Sequence, residues 1–206
     1  MASDQRERRL FILFTDWFSH KEQRGDYGVP PEKIEAYRRR ISKLARENQV
    51  QAIAEEMNWD SMARSAASKA LHLRKPIPLM EDAIRYINQI LIGQEIPSET
   101  ELIARELGLP YKACDLTMDE QLKNGPLEPP DSTNEGRTQW EDQTFPPREQ
   151  AWITSLLELR HWPVLFVCGN RHKRTFLPRL AEADLNVVVV PEEFEPCPTD
   201  SGDLTT

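Results

Sequence analysis

The sequence predicts an α/β protein built on a mainly parallel sheet of about five strands, with helices on both faces. Three observations lead there. Short continuous apolar runs recur along the chain, at Leu10 to Phe14, Val50 to Ala54, Tyr111 to Cys114, Val164 to Val167 and Val187 to Val190. Between most of them lie segments with apolar residues at helical spacing. Strands that are apolar throughout, rather than on alternate residues, are those covered on both faces, as in a parallel sheet.

The elements follow in order. Leu10 to Phe14 reads as a buried strand before a polar turn. Pro30 and Pro31 open a helix in which Ile34, Tyr37, Ile41 and Leu44 form the apolar stripe of segment 32–48. Val50 to Ala54 is the second strand and ends at Glu55 and Glu56. Asp60 caps an expected helix over 61–71, and Pro76 and Pro78 separate it from another over 79–92. Ser98 and Glu101 have the spacing of a capping box, so a helix starts there and stops at Gly108 and Pro110. Tyr111 to Cys114 is a short third strand, followed directly by Asp115. Segment 123–145 mixes Pro, Gly and acidic residues, with Leu127, Trp140 and Phe145 its only large apolar side chains. It is expected to be a mobile loop. Pro146 and Pro147 suit the start of the next helix, which carries Trp152, Leu156 and Leu159 on one stripe and ends by Pro163. Val164 to Val167 is the fourth strand, 172–183 a helix, and the four valines at 187–190 the fifth strand. No internal repeat is visible.

The 206 residues fit one domain, expected over 1–190, with an acidic, proline-containing tail at 191–206 that should fray. Twenty-six basic against 34 acidic residues give a net charge of −8, which argues against a nucleic-acid binder. No apolar run approaches the ~20 residues of a membrane span, and Leu10 to Phe14 is too short for a signal-peptide core, so the expected location is the cytoplasm. Three cysteines, Cys114, Cys168 and Cys197, without a Cys-x-x-Cys pair, indicate neither a disulfide framework nor a zinc knuckle. Nothing in the chain signals an oligomeric state.

A ligand of a parallel sheet sits beyond the carboxyl ends of its strands. The sequence puts Asp16, Trp17 and His20 there after the first strand, Glu55 and Glu56 after the second, and Asp115 after the third. Gly169, Asn170, Arg171 and His172 follow the fourth. Arg148 and Glu149 join them if the long loop returns to that side. Each has a plain alternative: a solvated turn for the two glutamates, a helix cap for Asp115, a water-exposed first turn for Arg171 to Arg174. Carboxylates with an imidazole can transfer protons or hold a divalent metal. A basic helix start after a glycine turn can hold an anion. His72 and His161 read as structural or exposed. No P-loop, GxGxxG, HExxH or GxSxG motif is present.

Four blocks together resemble the erythromycin-esterase / ChaN / TraB–Tiki superfamily of α/β proteins, in a small bacterial version. They are Phe14 to Trp17, Ala52 to Met57, Pro147 to Trp152, and Leu165 to His172 with Phe176. On this resemblance 73–94 is an added helical insertion. The superfamily includes esterases, proteases and a haem-binding protein, and these blocks line a site held to bind metal or to act as acid and base in hydrolysis. Its first block usually reads Gly-Thr-x-His. This chain has Phe14 at the Gly position and Trp17 at the His position, and the nearest imidazole is His20.

The resemblance implies a hydrolase-like protein acting on a small molecule or peptide. Glu55 or Glu56 would be base or metal ligand, and His172 the acid or second ligand, with His20 a third. Arg148 would stabilise developing negative charge, Glu149 or Asp115 would orient Arg148 or His172, and the 123–145 loop would cover the site. Asp16, Trp17, Asp115, Asn170 and Arg171 would line it. Trp17 in place of His favours instead a ligand- or partner-binding member without activity, while Arg171 to Arg174 point to a phosphate or nucleotide binder.

Overall fold

A computed structural model describes residues 8–15, 29–57, 97–127, 129, 133–183 and 185–191. The helices expected at 61–71 and 79–92, the insertion at 73–94, the tail beyond 191, and Asp16, Trp17 and His20 lie outside the described residues.

Five strands form one sheet: β1 (Arg9–Thr15), β2 (Ala52–Glu55), β3 (Tyr111–Ala113), β4 (Val164–Gly169) and β5 (Asn186–Val190). All neighbours pair in parallel, in the order β3-β2-β4-β1-β5. Each strand of the centre is covered on both faces, as its continuous apolar sequence requires. Leu10, Ile12, Phe14, Ala52, Ala54, Val164, Phe166 and Cys168 point to one face, and Phe11, Leu13, Ile53, Leu165 and Val167 to the other.

Helices α1 (Pro31–Glu47) and α2 (Glu99–Glu106) cover the second face with Tyr37, Ile41, Ile103 and Ala104. Helices α4 (Asn134–Leu157) and α5 (Lys173–Glu182) cover the first with Trp152, Ile153, Leu156, Phe176 and Leu180. The short α3 (Met118–Lys123) lies between β3 and α4. The chain therefore steps from β1 past the β4 position to β2 and on to β3 with helices on one face. It then returns to β4 and on to β5 with helices on the other. Reversing direction and face together keeps a single hand for every crossover. It also makes β4 the place where the topology switches: its outgoing helix lies on the face opposite to those serving β1 and β2.

The structure departs from the expectations at three places. Segment 123–145 is not a loop throughout, because α4 begins at Asn134 and passes through Pro146 and Pro147 instead of starting there. The Thr133 hydroxyl caps it by accepting from the Gly136 N–H at 3.0 Å. Its first half is held by tertiary contacts of Trp140, Glu141 and Phe145, which composition does not reveal. The helix α3 was not expected; Thr117 and Glu120 form the full capping box that starts it. At Ser98 only half of the expected box forms: its Oγ accepts from the Glu101 N–H at 3.0 Å.

Candidate functional site

Strand periodicity separates the two adjacent glutamates. Glu55 follows Ile53 to the second face. There its buried Oε1 accepts hydrogen bonds from the Ser98 hydroxyl and the Tyr111 hydroxyl. Glu56 turns to the first face at the end of β2. Its backbone N–H donates to the Val167 carbonyl at 3.0 Å, and its carboxylate accepts from the Gly169 N–H. The approach to Gly169 is close: a Cβ there would lie 3.2 Å from Glu56 Oε1. Glu56 thus sits between the ends of β2 and β4, in the crevice that the switch in topology opens.

His172 comes to the same place from β4. Gly169 ends the strand, a 3-10 turn (Asn170–His172) follows, and the imidazole tucks beneath the start of α5 with 5% exposure. Its Nδ1 is 3.0 Å from Glu149 Oε1, and its Nε2 is 3.8 Å from Glu56 Oε2. The ring is stacked on Phe145, with centroids 3.8 Å apart, and meets Trp152 at a tilt with centroids 4.5 Å apart. Glu149 is fully buried. Its Oε1 also accepts from the Thr175 hydroxyl, and its Oε2 lies 3.4 Å from Arg179 Nε. Thr175 and Arg179 are one face of α5, three and seven residues beyond His172.

Beside this cluster Asp115 gathers donors at the end of β3. Arg148 grips it through Nε and Nη2 at 3.0 and 2.6 Å. The Trp152 indole donates to Oδ1 at 3.0 Å, and the Gln121 amide to Oδ2 at 3.1 Å. Arg148 and Trp152 are four residues apart on α4 and so reach the same carboxylate, while Glu149, one step round the helix, reaches His172.

Burial disfavours the charged form of both acids that face the imidazole. Glu56 is pushed up to about 7, mainly by burial, against the pull of Arg148 and the Gly169 N–H. Glu149 is also pushed up to about 7 by burial, against Thr175, Arg179 and Arg148. An imidazole whose two nitrogens face carboxyl groups of near-neutral proton affinity is a unit that can take up and pass on protons near pH 7.

Of the residues expected at the site, the fold brings together Glu56, Asp115, Arg148, Glu149 and His172. It carries Glu55 to the opposite face. Asn170 and Arg171 are exposed at the margin. Arg171 pairs with Glu141 at 2.6 Å, and Arg174 with Glu141 and Asp142 at 3.4 and 2.8 Å. Two of the basic side chains at this helix start are therefore met by α4 carboxylates. Sequence reasoning placed Phe145 only in a segment covering the site and missed Thr175, Arg179 and Glu141; the spacing of Thr175 and Arg179 from His172 was the available signal.

Among the described residues no three His, Cys, Asp or Glu side chains converge as ligands for a metal ion. Glu56 and His172 supply two, and the other nitrogen of His172 is engaged by Glu149. The third expected ligand, His20, lies outside the described residues, and no step in the proposed reaction passes through a metal.

Comparison with protein-family models, with curated proteins and with solved structures found no match to this chain. The fold and the site themselves define the class: a five-stranded parallel α/β protein with a buried carboxyl–imidazole–carboxyl cluster at the switch point of its sheet. No helix among the described residues is long and apolar enough to cross a membrane.

Proposed function

We propose that this protein is a hydrolase-like enzyme of the cytoplasm, acting on a small-molecule or peptide ligand by acid–base catalysis at the β2–β4 crevice. The observation that carries the reading is the line Glu149–His172–Glu56. One carboxyl group holds Nδ1 at hydrogen-bond distance and the other faces Nε2. In this reading Glu149 orients the ring and balances its charge. His172 and Glu56 exchange the proton that must leave the attacking water and reach the leaving group. Arg148, held by both oxygens of Asp115, supplies a fixed positive charge for the developing anion. The resemblance of the four sequence blocks to the erythromycin-esterase / ChaN / TraB–Tiki superfamily supports the same reaction class, and Trp17 marks the departure from it.

The test is turnover on a panel of carboxyl ester, phosphoester and peptide substrates. Glu56→Gln and His172→Ala should each lower the rate at least a hundredfold while the circular dichroism spectrum is kept. Equal rates in the wild type and both variants on a substrate that the protein turns over would refute the assignment.

A ligand-binding protein without activity is the second reading, and one observation favours it. Both nitrogens of His172 face carboxyl groups, and Phe145 and Trp152 pack against the ring, which is 5% exposed, so a substrate has little access to it. On that reading no panel substrate is turned over, yet a ligand raises the melting temperature of the wild type and of His172→Ala alike.

A further inference from the structure

We propose that residues 134–145, the first half of α4, are a hinged cover over the Glu56–His172–Glu149 cluster, latched by Glu141 to Arg171 and Arg174. Three observations carry this. The first is the hinge. Pro146 and Pro147 stand inside the helix, so the carbonyls of Asp142 and Gln143 receive no i+4 backbone N–H, and each ring crowds the turn before it. The helical ladder is thus weakest where the two halves join.

The second is the difference between the halves. Beyond the prolines, Trp152, Ile153 and Leu156 belong to the core of the first face. Before them, Trp140 and Phe145 are buried but join neither of the two clusters that cover the sheet. They lie instead on each other, with centroids 5.3 Å apart, and Phe145 on the His172 ring. The exposed guanidinium of Arg171 sits over both rings, 5.3 Å from Trp140 and 5.8 Å from Phe145. Its ion pair with Glu141 closes the same contact. A segment held by a small ring cluster and partly exposed ion pairs opens more readily than one keyed into the sheet core.

The third is the far end. The Trp140 indole donates to the Pro126 carbonyl at 2.6 Å, and Gly125, with φ +138°, lies against Thr144. The turn before the cover is therefore fastened to it and moves with it, pivoting at a residue whose backbone only glycine adopts freely. Opening lifts Phe145 from the imidazole and admits a ligand; closing excludes water from the cluster.

The cover gates function only if the cluster is the working site, but its movement is measured without turnover, so either idea can fail alone. Hydrogen exchange of the whole protein, read by mass spectrometry, should show amides of 138–145 exchanging at least tenfold faster than amides of 150–157 in the same helix. Glu141→Ala should speed exchange of 138–145 and raise the rate of His172 modification by diethyl pyrocarbonate at least threefold. Glu158→Ala, which removes an ion pair at the other end of α4, should change neither. Replacing both Pro146 and Pro147 with Ala should slow the exchange and the modification together. Equal exchange in the two halves of α4, or His172 modified at the wild-type rate in Glu141→Ala, would overturn the hinge and the latch.

Discussion

At Glu56 burial and neighbouring donors pull in opposite directions, and the residue that mediates between them is Gly169. It donates its N–H to the carboxylate and leaves room for it, since a methyl group there would come within 3.2 Å of Oε1. Gly169→Ala should therefore destabilise the protein by about 1–2 kcal/mol through overpacking. In a Glu56→Ala background the same change should be nearly neutral. A double-mutant cycle by urea denaturation checks this, and additive effects would show that the crowding lies elsewhere. The same scale separates Glu55 from Glu56. Neighbours in a strand point to opposite faces, so one acid satisfies Ser98 and Tyr111 while the other faces His172. That separation is legible in the alternation of Ala52, Ile53 and Ala54. Which face would carry the imidazole was not, because it depends on the side to which the chain turns after β4.

Among the elements, α4 does most to assemble the site. Its second half brings Arg148, Glu149 and Trp152 to the ends of β3 and β4 through helical spacing alone. Asp115 ties that helix to β3 with two bonds from Arg148 and one from Trp152. Asp115→Asn would present an amide to donors and leave Arg148 without its counter-charge. The expected loss is about 3 kcal/mol, seen as a lower denaturation midpoint with unchanged slope. An unchanged midpoint would mean that the pair is dispensable. The first half of α4 illustrates why composition misleads. Two prolines and a run of polar residues argue against helix, yet Thr133 caps the segment, and Trp140, Glu141 and Phe145 find partners on the segment after β4. Local propensity is a small term that such tertiary contacts override.

For the whole molecule, the buried acids link stability to pH. The proton on Glu56 is held to about pH 7 in the folded state, whereas in the unfolded chain it leaves near the ordinary carboxyl value of 4.5. Below the lower value both states are protonated and nothing is lost. Between the two, the unfolded chain ionises first, so stability falls as pH rises, and above about 7 the loss is complete. Glu56→Gln removes this penalty. It should be more stable than wild type by up to roughly 3 kcal/mol at pH 8 and equal to it at pH 4. Unfolding midpoints measured across that range test the sign; a variant less stable than wild type at pH 8 would contradict it. The catalytic prediction for the same substitution is a loss of rate, so stability and activity should move in opposite directions, as they do where a site is built at the expense of the fold.

The continuous apolar runs, the helical stripes of 32–48 and 99–106 and the turn at Gly169 are local patterns. For that reason the sequence by itself determined the parallel α/β class and the strand ends on which Glu56, Asp115 and His172 stand. Only the tertiary structure decided that β4 inserts between β2 and β1, that Glu149 meets Nδ1 across the top of the sheet, and that 134–145 folds over the imidazole. These are contacts between residues far apart in the chain, and their free energy comes from burial and charge pairing that no window of sequence contains.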